Sequence, residues 1–223
     1  MLMQGGLLFG LNYWLAYLAE EVLVSGLVAV AFSCIIFMNI FFGMLFLGRR
    51  TVSRVYVGAA SGVAGTVLLF YQDLQGLAWV DIPLTSLVFC ILSVMVASLG
   101  NIASAANQSH NIPVIQANAF GMLYGGLLMG IIGLLSGEPI LFEQSFSYVF
   151  SLVYLAVFGS ILAFGAYLTL IGTIGPDRAA YVLVTFPVIA ITLSVLFEGF
   201  SVSPLLIIGV LMIIGGNLLV MKK

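Results

Sequence analysis

The sequence contains very few charged residues. Of 223 residues, six are Lys or Arg and eight are Asp or Glu, so that charged side chains make up 6% of the chain while apolar ones make up 63%. An ordinary globular domain has about 25% charged residues and covers its surface with polar groups. This scarcity of charge excludes a soluble domain. The basic residues form no run longer than Arg49-Arg50 and Lys222-Lys223, which disfavours a nucleic-acid-binding protein.

Cysteine and histidine are also scarce. Cys34 and Cys90 each lie within an apolar stretch, without the spacing of a metal site or a redox pair, and we interpret them as small buried hydrophobic residues. The only histidine, His110, follows the polar segment that begins at Asn107. No nucleophile elbow, His-Glu-x-x-His motif or carboxylate pair occurs. The sequence therefore predicts no enzyme, no metal site and no cofactor.

Long apolar runs dominate what is present. A membrane-spanning helix needs roughly 20 apolar residues, and continuous rather than alternating runs indicate helices instead of a β-barrel. The sequence thus predicts an all-α, polytopic membrane protein with about eight transmembrane helices and no extramembrane domain. The runs are Met3–Ala19, Val22–Leu47, Val55–Phe70, Leu84–Ala106, Val114–Leu135, Tyr148–Ile174, Ala179–Phe197 and Leu205–Met221.

The basic residues give the bundle an orientation. If the C-terminal Lys222 and Lys223 are cytoplasmic and the chain crosses the membrane eight times, Arg49, Arg50, Arg54 and Arg178 are cytoplasmic as well. Because cytoplasmic loops are enriched in Lys and Arg, we expect an inner-membrane protein with both termini in the cytoplasm. Asp177 stays inside. The opposite side then receives Glu20, Glu21, Asp73, Asp81, Glu138, Glu143 and Glu198.

The sequence contains an internal repeat at an offset of 151 residues. The matches are Leu45-Phe46-x-Gly48 with Leu196-Phe197-x-Gly199, Gly58 with Gly209, Gly65 with Gly216 and, with a small slip, Phe9-Gly10 with Phe158-Gly159. Corresponding helices are five apart and so cross the membrane in opposite directions, which is typical of secondary transporters. The alternative is a coincidental similarity of glycine-rich helices.

These residues resemble a known family. The segment Leu45–Gly65, its counterpart Leu196–Gly216, the stretch from Tyr167 to Tyr181, and Pro187 with the later Glu198-Gly199 are similar to the EamA-like branch of the drug/metabolite transporter superfamily. The resemblance implies a bundle of two five-helix inverted repeats that exports metabolites, amino acids or toxic compounds.

The chain departs from this pattern in its first half, which has three helices instead of five. Ile36 also stands where Pro187 would predict proline, and Arg49 stands where the family commonly has glutamate. We expect residues 1–72 to form a partial first repeat and residues 84–223 to form the second. By symmetry we expect two further helices, from an upstream segment or from a partner protein.

Uncharged polar residues form stripes within the predicted helices. Because an unpaired amide or hydroxyl is costly in hydrocarbon, these faces should point inward, either as helix–helix hydrogen bonds or as the wall of a solute cavity. The resemblance favours the cavity. Tyr13 could equally be an interfacial anchor. The candidate cavity residues are Tyr13, Asn101, Ser104, Ser160, Tyr167, Tyr181 and Thr185.

The sequence thus predicts a membrane transporter, with the lipid bilayer and a small solute as its partners. We expect an exporter of small organic metabolites or amino-acid-like solutes that works by alternating access. No acidic residue lies in mid-membrane, where proton-relay carboxylates usually occur. The alternative function is a non-transporting membrane subunit or a truncated member of the family.

Overall fold

The computed structural model describes residues 1–75, 82–137, 142–197 and 203–221, and these residues form helices and connecting turns without a strand. A helix forms at each of the eight apolar runs, which confirms the predicted all-α fold class. The helices are α1 (residues 2–20), α2 (Ser25–Leu47), α3 (Ser53–Leu69), α4 (Leu84–Ser109), α5 (Val114–Leu135), α6 (Phe146–Ile174), α7 (Tyr181–Phe197) and α8 (Pro204–Met221). The charge and repeat arguments also use Asp81, Glu138, Glu198, Gly199, Lys222 and Lys223, which lie outside the described residues.

Six segments in the described part of the chain are long and apolar enough to cross a membrane. They are α2, α4, α5, α6, α8 and the stretch Pro176–Leu193, which includes most of α7. α3 has 17 residues and is shorter. α1, which contains Gln4, Asn12 and Glu20, is not among the six. The chain is therefore a multi-pass membrane protein, while the number of eight crossings stays a prediction.

Proline and glycine set several helix boundaries. Pro83 and Pro113 precede α4 and α5 in an extended conformation, and proline fits a helix start because no intrahelical partner is needed for its missing N–H. α2 ends at Gly48, whose φ of 61° is left-handed. Gly175, with a φ of 94°, separates α6 from the short helix Pro176–Ala179 that leads into α7. Residues other than glycine rarely adopt such φ angles.

Two helices contain π-helical stretches, Gly5–Leu11 in α1 and Leu155–Leu162 in α6. At the end of each stretch the backbone N–H bonds to the carbonyl five residues earlier, from Asn12 to Leu7 and from Ala163 to Phe158. These stretches include the two Phe-Gly pairs that the repeat matches with each other. The same local distortion therefore occurs at matched positions in the two halves.

Helices α3 and α8 pack antiparallel through glycines. A Cβ atom on Gly58 would lie 2.8 Å from the carbonyl oxygen of Gly216, and one on Gly65 would lie 2.7 Å from that of Gly209. The repeat matches Gly58 with Gly209 and Gly65 with Gly216, so the offset of 151 residues exchanges these two contacts. Between them, Ser61 Oγ donates a hydrogen bond of 2.8 Å to the Met212 carbonyl. The two helices thus present equivalent surfaces to each other.

α5 packs against α1, also through glycine. Gly121 approaches Gly5, and Gly125 lies beside Phe9 and Gly10. The N-terminal half of α6, which we call its outer half, is different. No residue of Phe146–Tyr154 or Leu155–Leu162 is buried. Apolar side chains exposed in this way suit contact with lipid.

Several contacts close one end of the bundle, which we call the arginine end (residues 49–54 and 175–178). Asn39 Nδ2 donates to the Pro176 carbonyl at 2.8 Å, and Thr51 Oγ1 donates to Asp177 Oδ2 at 3.1 Å. The Arg49 guanidinium lies against Gly175, where a Cβ atom would overlap it. These contacts hold α2 and the segment after it against the short helix Pro176–Ala179 that leads into α7. Glu20 and Ser25 lie at the other end, where α1 finishes and α2 begins.

Candidate solute cavity

A cavity of about 480 Å³ lies between α1, α2, α4, α6 and α7. This is within the usual size range of small-molecule sites, roughly 300–1,000 Å³. It extends from Asn101 and Tyr167 to Glu20 and Ser25 at the end opposite the arginine end. The polar residues of its wall are Asn12, Tyr13, Tyr17, Glu20, Ser25, Asn101 and Tyr167.

A chain of buried hydrogen bonds supports the inner wall of the cavity. Asn101 Nδ2 donates to the Tyr167 hydroxyl at 3.0 Å and, more weakly, to Asn39 Oδ1 at 3.5 Å. Asn39 Oδ1 also accepts a 2.6 Å bond from Ser98 Oγ. Because Asn39 bonds in turn to Pro176, this network connects the cavity wall to the arginine end.

Two residues of the wall, Asn12 and Asn101, each have a buried amide oxygen without a hydrogen-bond partner among the described residues. Asn101 Oδ1 is buried and unpaired, although the residue is only 1% exposed. Asn12 Oδ1 is also buried and unpaired, while its Nδ2 makes a long 3.5 Å bond to the Leu8 carbonyl within α1. Leaving a buried acceptor unsatisfied costs about 1–3 kcal/mol. Such groups are uncommon in folded proteins and call for an explanation.

Aromatic side chains form much of the remaining wall. Phe164 packs edge-on against Phe9 with ring centroids 5.0 Å apart, and the rings of Tyr13 and Tyr17 are 6.2 Å apart. Phe32 lines the cavity from α2. Among the described residues that line the cavity, Glu20 is the only one with a charged side chain, and it is exposed at the mouth. The site therefore combines aromatic surface, amide oxygens and one carboxylate.

The structure brings together three of the seven candidate residues. Tyr13, Asn101 and Tyr167 line the cavity. Ser104 is buried one turn beyond Asn101 and accepts a 3.3 Å bond from Gln108 Nε2 outside the lining. Ser160 lies in a separate depression beside Phe9 and Tyr13.

Tyr181 and Thr185 lie outside the cavity lining. Tyr181 is in the apolar core, where its hydroxyl faces Gly58 of α3 and has no hydrogen-bond partner in the part of the chain that the structure describes. Thr185 Oγ1 donates to the Tyr181 carbonyl at 2.9 Å and accepts from Asn217 Nδ2 at 3.2 Å. Tyr181 and Thr185 therefore contact α3 and α8. They point inward, as expected, but into helix–helix contacts, which was the alternative interpretation of these stripes.

Sequence reasoning did not select Asn39, Ser98 or Glu20 as site residues. Asn39 is the only amide between Ile35 and Leu47, so that a search for stripes of several polar residues passes over it. An isolated amide within an otherwise apolar predicted span was the available signal, because such a group needs a buried partner.

A second cavity, of about 660 Å³, lies between the first residues of α1, the end of α2 and α4. Two of its polar residues, Gln4 and Asn107, are already hydrogen-bonded. Asn107 Nδ2 donates to Gln4 Oε1 at 2.8 Å, and Gln4 Nε2 donates to Asn118 Oδ1 at 3.0 Å. The unpaired amides favour the smaller cavity as the functional site.

Comparisons with known proteins agree with the architecture. The EamA-like transporter family matches residues 84–222. The protein named "Uncharacterized inner membrane transporter YedA" from Escherichia coli (strain K12) is 30% identical over 181 residues, which cover 80% of this chain and 56% of that protein; its counterpart from Escherichia coli O157:H7 gives the same values. The chain thus spans about half the length of these relatives. A crystal structure with a TM-score of 0.79 and 19% identity covers 99% of this chain and 75% of its own and supports the fold.

Proposed function

Because this chain belongs to the EamA-like transporter family, we propose that it moves small organic metabolites or amino-acid-like solutes through the cavity between α1, α2, α4, α6 and α7. The observation that carries the proposal is a cavity of about 480 Å³ whose wall is mostly apolar and aromatic and contains the polar residues Asn12, Asn101 and Tyr167. Ligand sites are mostly apolar, with a few polar groups that fix the ligand's orientation.

Alternating access between inverted repeats is the proposed mechanism. Residues 1–72 would contribute part of one repeat and residues 84–223 the other. The hydrogen bonds from Asn39 to Pro176 and from Thr51 to Asp177 close the arginine end, while the cavity extends toward Glu20. Breaking these bonds and forming contacts at the opposite end would expose the cavity to the arginine side. Inverted repeats allow this exchange because two similar halves face opposite ways.

The proposed location is the inner membrane, with both termini and the arginine end in the cytoplasm. The relatives are named as inner membrane transporters, and the loop enrichment of Lys and Arg gives the orientation. In this orientation the cavity of the described state extends toward the periplasm. Release of an exported solute would take place from this state.

An export assay with the full reading frame tests the proposal. In a screen of metabolites, cells that express the protein should export at least one metabolite faster than cells without it, or should tolerate a higher concentration of it. Asn101→Ala should reduce this transport without lowering the amount of protein in the membrane. The matched control is Thr169→Val, because Thr169 is exposed on α6 and bonds only within its own helix, to the Gly165 carbonyl. Equal transport by the wild type and Asn101→Ala would contradict the assignment of the cavity.

A second candidate is a membrane subunit that transports nothing by itself. The outer half of α6, which has no buried residue, offers an apolar surface to a partner helix, and we propose that the two additional helices expected from the repeat would pack there. A stable reconstituted protein that moves no solute, but gains transport when a partner is supplied, would support this second function.

A further inference from the structure

We propose that Asn39 is a positioning residue for transport, whose side-chain nitrogen alternates between two acceptors. It donates to the Pro176 carbonyl when the arginine end is closed and to Asn101 Oδ1 when that end is open. The inference rests on the proposed alternating access and names the residue that regulates it. It follows from a donor that holds the arginine end closed and from a buried acceptor beside it that has no donor.

The orientation of the two amides follows from their partners. The Pro176 carbonyl can only accept, so the group of Asn39 that faces it at 2.8 Å is the amide nitrogen. Asn39 Oδ1 accepts from Ser98 Oγ at 2.6 Å and from Asn101 Nδ2 at 3.5 Å. Asn101 Nδ2 also donates to the Tyr167 hydroxyl. The nitrogen of Asn101 is therefore directed at Asn39 and Tyr167, and its oxygen is left over.

Asn101 Oδ1 is the acceptor that this arrangement leaves without a donor. The atom is buried and has no hydrogen-bond partner among the described residues. Because protein atoms cover it, a solute in the cavity does not supply its donor in this state, and the nearby donor is the amide of Asn39. An unpaired buried acceptor destabilises the state that contains it. The closed state therefore has an unsatisfied group that a second state can satisfy.

Opening of the arginine end allows this acceptor to be paired. When Pro176 moves away, the nitrogen of Asn39 is released, while Asn39 Oδ1 keeps its bonds to Ser98 and Asn101 on α4. The amides of Asn39 and Asn101 then form a cyclic pair, in which each nitrogen donates to the other's oxygen. The Pro176 carbonyl still accepts from the Ala180 N–H at 3.2 Å. One bond is lost and one is gained, which keeps the two states close in free energy.

The switch is connected to the cavity through Asn101 and Tyr167. Both residues line the cavity, and Asn39 is fully buried behind them. A solute that displaces either side chain changes the acceptor that is available to Asn39. Elements with two discrete arrangements carry coupling between distant sites. Solute entry thereby shifts the balance between the closed and the open arginine end.

Cysteine labelling from the arginine side tests the switch without a solute. Ala97 lines the cavity one turn before Asn101, and Ala97→Cys in the full chain, with Cys34 and Cys90 replaced by alanine, is the reference protein. A membrane-impermeant maleimide is added to vesicles whose outer face is the arginine side, which labelling of Arg50→Cys identifies. The reference protein reacts only while the arginine end is open, so its labelling rate reports the open fraction.

Removal of the second acceptor should favour the closed state. Asn101→Leu leaves Asn39 with Pro176 alone, so labelling should slow about fivefold, the effect of one hydrogen bond on an equilibrium. A purely structural role for Asn101 predicts unchanged or faster labelling, because a lost bond loosens the bundle. Asn101→Ala also removes the acceptor, with less bulk, and should slow labelling in the same way if Asn101→Leu folds poorly.

Two control variants separate the switch from general loosening. Asn118→Leu removes a buried amide of α5 that accepts from Gln4 outside this network, and it should leave the labelling rate unchanged. Asn101→Asp keeps an oxygen at the same position and should be labelled at least as fast as the reference protein. Labelling of Asn101→Leu and Asn101→Ala as fast as the reference would overturn the inference, as would equal slowing in Asn101→Asp.

Transport assays distinguish this inference from the proposed function. Slower labelling of Asn101→Leu in a protein that moves no solute would contradict transport and support the switch. Transport by the wild type together with unchanged labelling of Asn101→Leu would support transport and overturn the switch.

Discussion

Substitution of Gly65 by alanine tests the packing of α3 on α8. The new Cβ atom would lie 2.7 Å from the Gly209 carbonyl oxygen, 2.8 Å from Ile213 Cγ1 and 3.1 Å from the Ile213 nitrogen. Favourable contacts between such atoms are about 3.5–4.0 Å long. Two of these three neighbours are backbone atoms, and a backbone atom cannot move away by a change of rotamer. The two helices would therefore have to move apart.

The expected loss of stability follows from two opposing effects. Overpacking of this kind costs about 1–3 kcal/mol, and replacing glycine by alanine in a helix recovers about 0.5–1 kcal/mol. We therefore expect Gly65→Ala to lower the free energy of unfolding by about 1 kcal/mol, and by no more than about 2.5 kcal/mol. The matched control is Gly215→Ala on α8, where no atom of the described residues lies within 4 Å of the new Cβ, and which should be neutral or slightly stabilising.

Reversible unfolding of the purified protein by SDS in mixed micelles measures the difference. Gly65→Ala should unfold at a lower SDS fraction than the wild type, and Gly215→Ala should not. Gly209→Ala should behave like Gly65→Ala, because its Cβ would lie 2.7 Å from the Gly65 carbonyl oxygen. Either change separates the same two helices. The double variant should therefore lose less free energy of unfolding than the sum of the losses in the two single variants. A Gly65→Ala protein as stable as Gly215→Ala would refute this account of the packing.

Three further predictions concern the network, the closed end and the topology. Asn39→Leu removes three hydrogen bonds at once and should destabilise the protein by about 2–4 kcal/mol, at about 1 kcal/mol per bond plus the desolvation of groups left unpaired; the SDS titration measures this, and an unchanged midpoint would contradict it. Thr51→Val removes the bond to Asp177 and should increase the labelling, from the arginine side, of a cysteine introduced into the cavity wall, whereas unchanged labelling would show that this bond does not hold the end closed. Alkaline phosphatase fusions should be active near Glu21 and inactive at Arg50 and His110, and the reverse pattern would overturn the proposed orientation.

The sequence predicted the helices well because membrane spans are defined by long apolar runs. Each of the eight runs contains a helix, and the inward direction of the polar residues on α4 was also correct, since Asn101 and Ser104 are buried. A polar stripe indicates that a helix face is covered, but it does not say by what. The cost of an unpaired polar group in hydrocarbon is the same whether the face meets a cavity or another helix.

Tyr181 illustrates this limit. Its stripe on α7 (Tyr181, Thr185, Val188 and Thr192) has the same spacing as the stripe on α4 (Ala97, Asn101, Ser104 and Gln108). Tyr181 nevertheless packs against α3, where Gly58 leaves room for the hydroxyl. The deciding feature is a glycine more than a hundred residues away, which no local pattern includes. The π-helical stretches in α1 and α6 were also not predicted, and they rotate the residues that follow them relative to a regular helix. A single projection of side chains at 3.6 residues per turn therefore does not relate the residues before each stretch to those after Leu11 and Leu162.

The exchanged glycine contacts between α3 and α8 have the form of an interface between identical molecules. When a helix packs against an inverted copy of itself, two glycines on that helix are enough. The twofold symmetry makes the first glycine contact the second one of the copy, and the same symmetry gives the reverse contact. A shorter protein that contained one such helix could assemble with an oppositely inserted copy of itself through this surface alone. Joining the two copies in one chain removes the requirement that they be identical. Matched positions can then specialise, as Ser61 and Met212 do, where one residue donates its hydroxyl and the other accepts with its carbonyl.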